Sequence, residues 1–143
     1  MSTGILESVR EKILSQPFHQ ACEFAIVSAE NGHSHTQFKV NPFTGNIVGA
    51  LHGGIMYAML DVTAFVALAT RLRQGQHAVS VDVHYAVLNG ALPGETVEME
   101  AQVDRNGSTL GFMRVEAYVR ESDGNKRLIG TGHVTKAVRN VSA

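Results

Sequence analysis

The chain has 143 residues, 44% of them hydrophobic and 17% charged, with 12 basic against 13 acidic side chains. That length suits one domain with its own core; the chain is too apolar for disorder and too evenly charged for a nucleic-acid partner, which needs clustered Lys and Arg. A lone cysteine, Cys22, excludes an intrachain disulfide and the multi-thiolate zinc sites, and suits a reducing cytoplasmic location.

Ile5, Leu6, Val9, Ile13 and Leu14 fall on one helical stripe, so the spacing predicts an N-terminal helix within residues 1–16, ended by Pro17. Glu7, Arg10, Glu11 and Lys12 interrupt that stretch, which therefore lacks the apolar centre of a secretory signal. Residues 22–29 and 35–40 read as strands joined by a turn at Asn31-Gly32, and residues 41–45 as a loop. Residues 53–73 read as one long helix, apolar on nearly every face and hence surrounded by protein. Residues 53–70 are long enough to span a bilayer. Asp61 sits at their centre, however, where a carboxylate costs roughly 2.5–3.5 kcal/mol even on a lenient scale. A helix buried in a soluble protein, with no membrane partner, is the better reading.

Beyond Gly75 the apolar period becomes two. Residues 78–88, 96–104, 110–119 and 128–138 read as strands, with turns at Asn106-Gly107 and at residues 122–125. No repeat or linker divides the chain, so residues 1–143 are expected to form a single domain. The predicted class is α+β: an antiparallel β-sheet wrapped around a long central α-helix.

The segment Asn46-Ile47-Val48-Gly49-Ala50-Leu51-His52-Gly53-Gly54, followed by Asp61, carries the sharpest chemistry. Two glycines at a helix start let a ligand approach the backbone. The first helical amides have no internal partner and lie at the positive end of the dipole, where they can hold a developing oxyanion. A nearby carboxylate can serve as general base or nucleophile. Gly53 and Asp61 are eight residues apart, about 12 Å along a helix axis, too far to act on one carbonyl carbon. If both serve one site, Asp61 must come from a second copy, with two helices antiparallel across a twofold axis.

Asn46, then His52-Gly53-Gly54, then Asp61 on a helix, then Ser80 in Val79-Ser80-Val81-Asp82-Val83, together resemble the hotdog-fold thioesterases of the phenylacetic-acid-degradation (PaaI-like) type. The resemblance spans residues 41–138. It implies an acyl-CoA thioesterase that hydrolyses acyl-CoA to free acid and CoA without metal or redox cofactor. It also implies a homodimer with shared active sites, paired into a homotetramer. In that scheme the Gly53 amide polarises the thioester carbonyl and Asp61 of the facing copy is nucleophile or general base. His52 and Asn46 position the thioester or the water, and Ser80 assists. Gly54 belongs beside the substrate at the helix start. Tyr57 and Phe65, with Met56 and Met59, line the acyl pocket or fill the core. The acyl group is read as aryl-acetyl, aromatic or medium-chain. Two positions depart from the family pattern: Gly90 stands where Pro is frequent, and Ser108 where many members carry Arg or Lys near the CoA end. Arg105, Arg73, Lys126 and Arg127 are the remaining candidates for the phosphates.

Structural alternatives stand beside each role. Asp61 can be a paired buried carboxylate, Gly53-Gly54 a packing device, His52 a helix cap, Asn46 a loop former and Ser80 a plain strand serine. His33 and His35 share a strand face but are read as exposed near a turn, not as metal ligands. His19, His77, His84 and His133 form no ligand spacing, and no G-x-S-x-G, Walker or dinucleotide motif is present. The rival functions are a non-catalytic acyl-CoA-binding or regulatory module and an acyl-CoA hydratase or dehydratase, both on the same fold.

Overall fold

A computed structural model describes residues 4–141. The six strands form a single antiparallel sheet: β1 (Ala25–Glu30), β2 (His33–Lys39), β3 (Gln76–Val87), β4 (Thr96–Asn106), β5 (Leu110–Arg120) and β6 (Lys126–Asn140). Their order is β1-β2-β4-β5-β6-β3. Helix α3 (Gly53–Ala69) packs against all six of them. Met56, Met59, Leu60, Val66 and Leu68 of α3 meet Val97, Met99, Met113, Val115 and Val134 of the sheet in the core.

The helix is shorter than the apolar run suggested. It has 17 residues and is capped at Thr70, not Arg73. The Thr70 hydroxyl donates to Ala67 O at 2.7 Å and accepts from Gly32 N at 2.8 Å. A side chain thus competes for backbone groups at the helix end and ties it to the β1–β2 turn. There Asn31 and Gly32 take φ of 50° and 78°, the left-handed pair that a two-residue hairpin turn requires. β1 begins at Ala25, not 22, because Glu23 adopts φ 56° and breaks the extended path. The N-terminal stripe forms α1 (Leu6–Leu14), with Leu6 and Ile13 buried. Pro17 ends α1 and also starts a short α2 (Pro17–Ala21); at a first helical position its missing N–H loses nothing.

Three glycines let α3 lie close to the sheet. A Cβ on Gly132 would meet Leu60 Cδ1 at 2.6 Å and His84 O at 2.9 Å. On Gly111 it would meet Leu68 Cδ1 at 2.9 Å, and on Gly130, Met56 Cε at 3.1 Å. Gly130 and Gly132 belong to the β6 row that faces the helix, followed by Val134, Lys136 and Val138, all buried. Strand β3, at the sheet's edge, carries a bulge at Val81. Ser80 pairs with Lys136, but Asp82 already pairs with Thr135. Before the bulge Ala78 and Ser80 turn to the helix side; after it Val83 and Tyr85 do. The expected unbroken alternation over residues 78–88 is therefore two registers in sequence.

On the opposite face of the sheet, His33 and His35 sit within β2, not in an exposed turn. They bond Glu100 at 3.0 Å and Glu98 at 2.9 Å. Burial alone would raise the Glu98 carboxyl, but hydrogen bonds and charge from Arg120 and His35 outweigh it and hold that group below the usual carboxylate range.

Gly132→Ala should cost about 1–3 kcal/mol of folding stability through overpacking, read as a lowered urea midpoint with an unchanged slope.

Candidate active site

Two groups of expected site residues emerge on α3, one at its start and one at its middle. At the start, His52 is the N-cap, with φ −73° and ψ 133°, and its Nδ1 accepts from Gly54 N at 2.9 Å. That bond leaves the ring proton on Nε2 and so fixes the tautomer. The Gly54 amide is therefore already used. The Gly53 amide has no partner among the described residues, and a Cβ on Gly53 would meet nothing within 4 Å. Asn46 organises the preceding loop. Its Oδ1 accepts from Val48 N at 2.9 Å and Ala50 N at 3.1 Å, while Leu51 N and His52 N are held by Ala91 O and Thr44 O, each at 2.9 Å. The side-chain oxygen of Asn46 is thus spent on its own loop, as in an Asx-turn.

At the middle, Asp61 lies on the one stripe of α3 that the chain leaves partly uncovered: Gly53, Gly54, Tyr57, Ala58, Asp61 and Phe65. It opens on a cleft of about 640 Å³ between α1, α3, β3 and β6, within the size range of small-molecule sites. Ser80 Oγ donates to Asp61 Oδ1 at 2.6 Å. Lys136 Nζ donates to the same Oδ1 at 3.0 Å and to Ser80 Oγ at 2.6 Å. Tyr57 and Phe65 line the cleft, together with Val9 and Ile13 of α1. Met56 and Met59, 1% and 0% exposed, are core.

Asp61, Ser80, Tyr57 and Phe65 thus come together, as do His52, Gly53, Gly54 and the Asn46 loop, but one chain keeps the two groups apart. Arg105 is exposed at the far end of β4 and lines neither the Asp61 cleft nor the Asn46 loop. An apolar cleft with an anchored carboxylate, and a separate helix start with an unpaired amide, fit acyl-transfer chemistry split between two half-sites.

Residues 48–124 match the Thioesterase superfamily. The chain belongs to this superfamily. It is 30% identical over 143 residues to human acyl-coenzyme A thioesterase 13, covering 96% of this chain and 99% of that protein. The fold is that of the hotdog thioesterases. A thioesterase family protein from Silicibacter pomeroyi superposes with a TM-score of 0.86 at 25% identity, covering 96% of this chain and 99% of the other. The PaaI protein of the E. coli phenylacetic acid degradation operon gives 0.79 at 18% identity, covering 96% and 93%. The chain is thus a hotdog thioester hydrolase.

Two contributors to this hydrolase's cleft escaped sequence reasoning. Lys136 occupies an inward position of β6 between Val134 and Val138, so a lysine in a buried row was the available signal. The α1 residues Val9 and Ile13 read only as an amphipathic stripe; that α1 walls the cleft is a tertiary fact. Cys22 is fully buried, and burial pushes its thiol up to about 11, which makes it a packing residue with little thiolate at neutral pH.

His52→Ala removes the cap acceptor for Gly54 N and should lower stability by about 1 kcal/mol, measured by urea denaturation. Unchanged stability would show that the cap bond contributes nothing.

Proposed function

We propose that this chain hydrolyses acyl-CoA thioesters to a carboxylic acid and free CoA in sites shared between two copies. The observation that carries the reading is the anchored Asp61 carboxylate in a cleft lined mainly by apolar side chains, Val9, Ile13, Tyr57, Val62 and Phe65 among them, with Lys12, Gln16 and His19 on its α1–α2 side. Such walls suit an aryl-acetyl, aromatic or medium-chain acyl group. The Gly53 amide of one copy binds the thioester oxygen and strengthens its hold as charge develops there. Asp61 of the other copy acts as base toward water or as nucleophile. The Nε2–H of His52 is a second donor at the helix start, and the Asn46 loop presents that start to the substrate.

Pairing of two copies is supported by surfaces that one chain leaves bare. β3 is an edge strand with Val79 and Val81 exposed, Tyr57 of α3 is exposed beside it, and Ile47 and Val48 project from the Asn46 loop. Such an edge is a template for further pairing. Two dimers then form the tetramer. Of the cations considered for the CoA phosphates, Arg127 is engaged by Glu95 and Glu121, and Lys126 by Glu100. Arg73 and Arg105 have no carboxylate within ion-pair distance among the described residues, which leaves them for the phosphates. The reading needs no metal or redox cofactor and places the enzyme in the cytoplasm.

Asp61→Asn should cut kcat for thiol release by about 10²–10⁴-fold with the oligomer intact; a rate near that of the parent enzyme would overturn the assignment. Gly53→Pro deletes the amide donor at a helix position that tolerates proline. Mixing equal amounts of the Asp61→Asn and Gly53→Pro chains should restore about a quarter of the original sites, since half the dimers are mixed and each holds one complete site. No rescue despite proven subunit exchange would rule out sharing.

A further inference from the structure

Lys136 is the most heavily buried cation in the Asp61 cleft, with its residue 4% exposed. It sits where β6 presents Val134 and Val138 to the helix side. An ammonium in such a row is unfavourable unless it is paired and hydrogen-bonded. All of its polar contacts are made within the cleft. Nζ lies 3.0 Å from Asp61 Oδ1 and 2.6 Å from Ser80 Oγ, and it stands 5.6 Å from the centre of the Phe65 ring, within cation–π range.

The donor inventory sets the direction of these bonds. An ammonium only donates, and a serine hydroxyl has one hydrogen. Ser80 Oγ therefore accepts from Lys136 and spends its hydrogen on Asp61 Oδ1, 2.6 Å away. Both bonds to the carboxylate fall on Oδ1, and Oδ2 has no partner among the described residues. The Asp61 side chain is 30% exposed against 5% for Lys136. Lys136 thus underlies the carboxylate, while Ser80 flanks it across a β3–β6 pair whose register the Val81 bulge alters.

We propose that Lys136 is a positioning residue that, with Ser80, clamps Asp61 through Oδ1 and leaves Oδ2 as the oxygen that reacts. This rests on the reading of Asp61 as the reacting carboxylate. A carboxylate on a flexible side chain loses rate when its orientation is loosened. Two convergent donors on one oxygen fix both its position and the plane of the group. Removing either donor loosens the same clamp, so the two losses should overlap and not multiply.

The test is steady-state thiol release and thermal denaturation of the full chain carrying Lys136→Met, Lys136→Arg, Ser80→Ala, and Lys136→Met with Ser80→Ala. Methionine suits the apolar row, so the melting temperature of Lys136→Met should hold or rise. Its kcat should fall at least tenfold with KM within about twofold, and arginine should recover part of the loss. The double variant should be within about threefold of the slower single one. A kcat for Lys136→Met within twofold of the parent enzyme, or losses that multiply fully in the double variant, would overturn the proposal. A rate loss that simply follows lost thermal stability would do the same. Should the methionine variant fail to fold, Lys136→Gln carries the same expectations. An inactive Asp61→Asn beside a fully active Lys136→Met sinks this inference alone, whereas a fully active Asp61→Asn sinks the reading beneath it.

Discussion

Helix α3 is too apolar to stand in water, and covering it is the requirement around which the chain is arranged. A sheet can approach a helix closely only where side chains are absent, and Gly111, Gly130 and Gly132 provide that lane against Leu68, Met56 and Leu60. Polar groups that the approach buries find partners among themselves. Ser34 Oγ donates to Thr63 O at 2.8 Å, and the Thr36 and Thr63 hydroxyls meet at 2.7 Å. Six strands and α1 still leave one stripe of α3 open, and that stripe carries the glycines of the helix start and Asp61. The groups proposed to react therefore lie on the same rigid element that organises the core, which holds them more firmly than a loop would.

Asp61 and Lys136 show a local rule broken at the positions proposed to be functional. Each sits where its neighbours are apolar: the carboxylate between Leu60 and Val62, the ammonium between Val134 and Val138 in its row. A hydrophobic pair of similar size would often be at least as stable. Both charges line a cleft whose other walls are mainly hydrophobic, with Lys12, Gln16 and His19 on one side; on the proposed reading, chemistry and not packing decides these two residues. Ser80 bonds to both, and no buried donor or acceptor among the described side chains is left unpaired.

Much of this was legible in the sequence, for identifiable reasons. The apolar run after Gly53 is dense enough to be a buried helix, and the two-residue period after Gly75 marks the strands. Asp61 stood out because a lone carboxylate in such a run calls for explanation. What was illegible depends on contacts distant in sequence or on single backbone choices. The positive φ at Glu23 delays β1, and Thr70 stops α3 before Arg73 by a side-chain bond to its own helix. Lys136 was hidden because two glycines precede it in its row, so the inward face of β6 has a weak apolar signature. His33 and His35 looked like turn residues; their glutamate partners on β4 appear only once the strands are paired.

The bulge at Val81 sets the frame of β3. A strand has one alternation, and a side chain that must meet Asp61 would ordinarily force its whole face to follow. By inserting one residue, β3 satisfies two demands that differ by a half-period: Ser80 turns toward the carboxylate, and Val83 and Tyr85 still turn toward the core. The Ser80 end of the strand can therefore change without re-registering the packing end. A one-residue insertion or deletion between Ser80 and Val83, by contrast, would exchange the inside and outside of one half while leaving every amino acid in it the same.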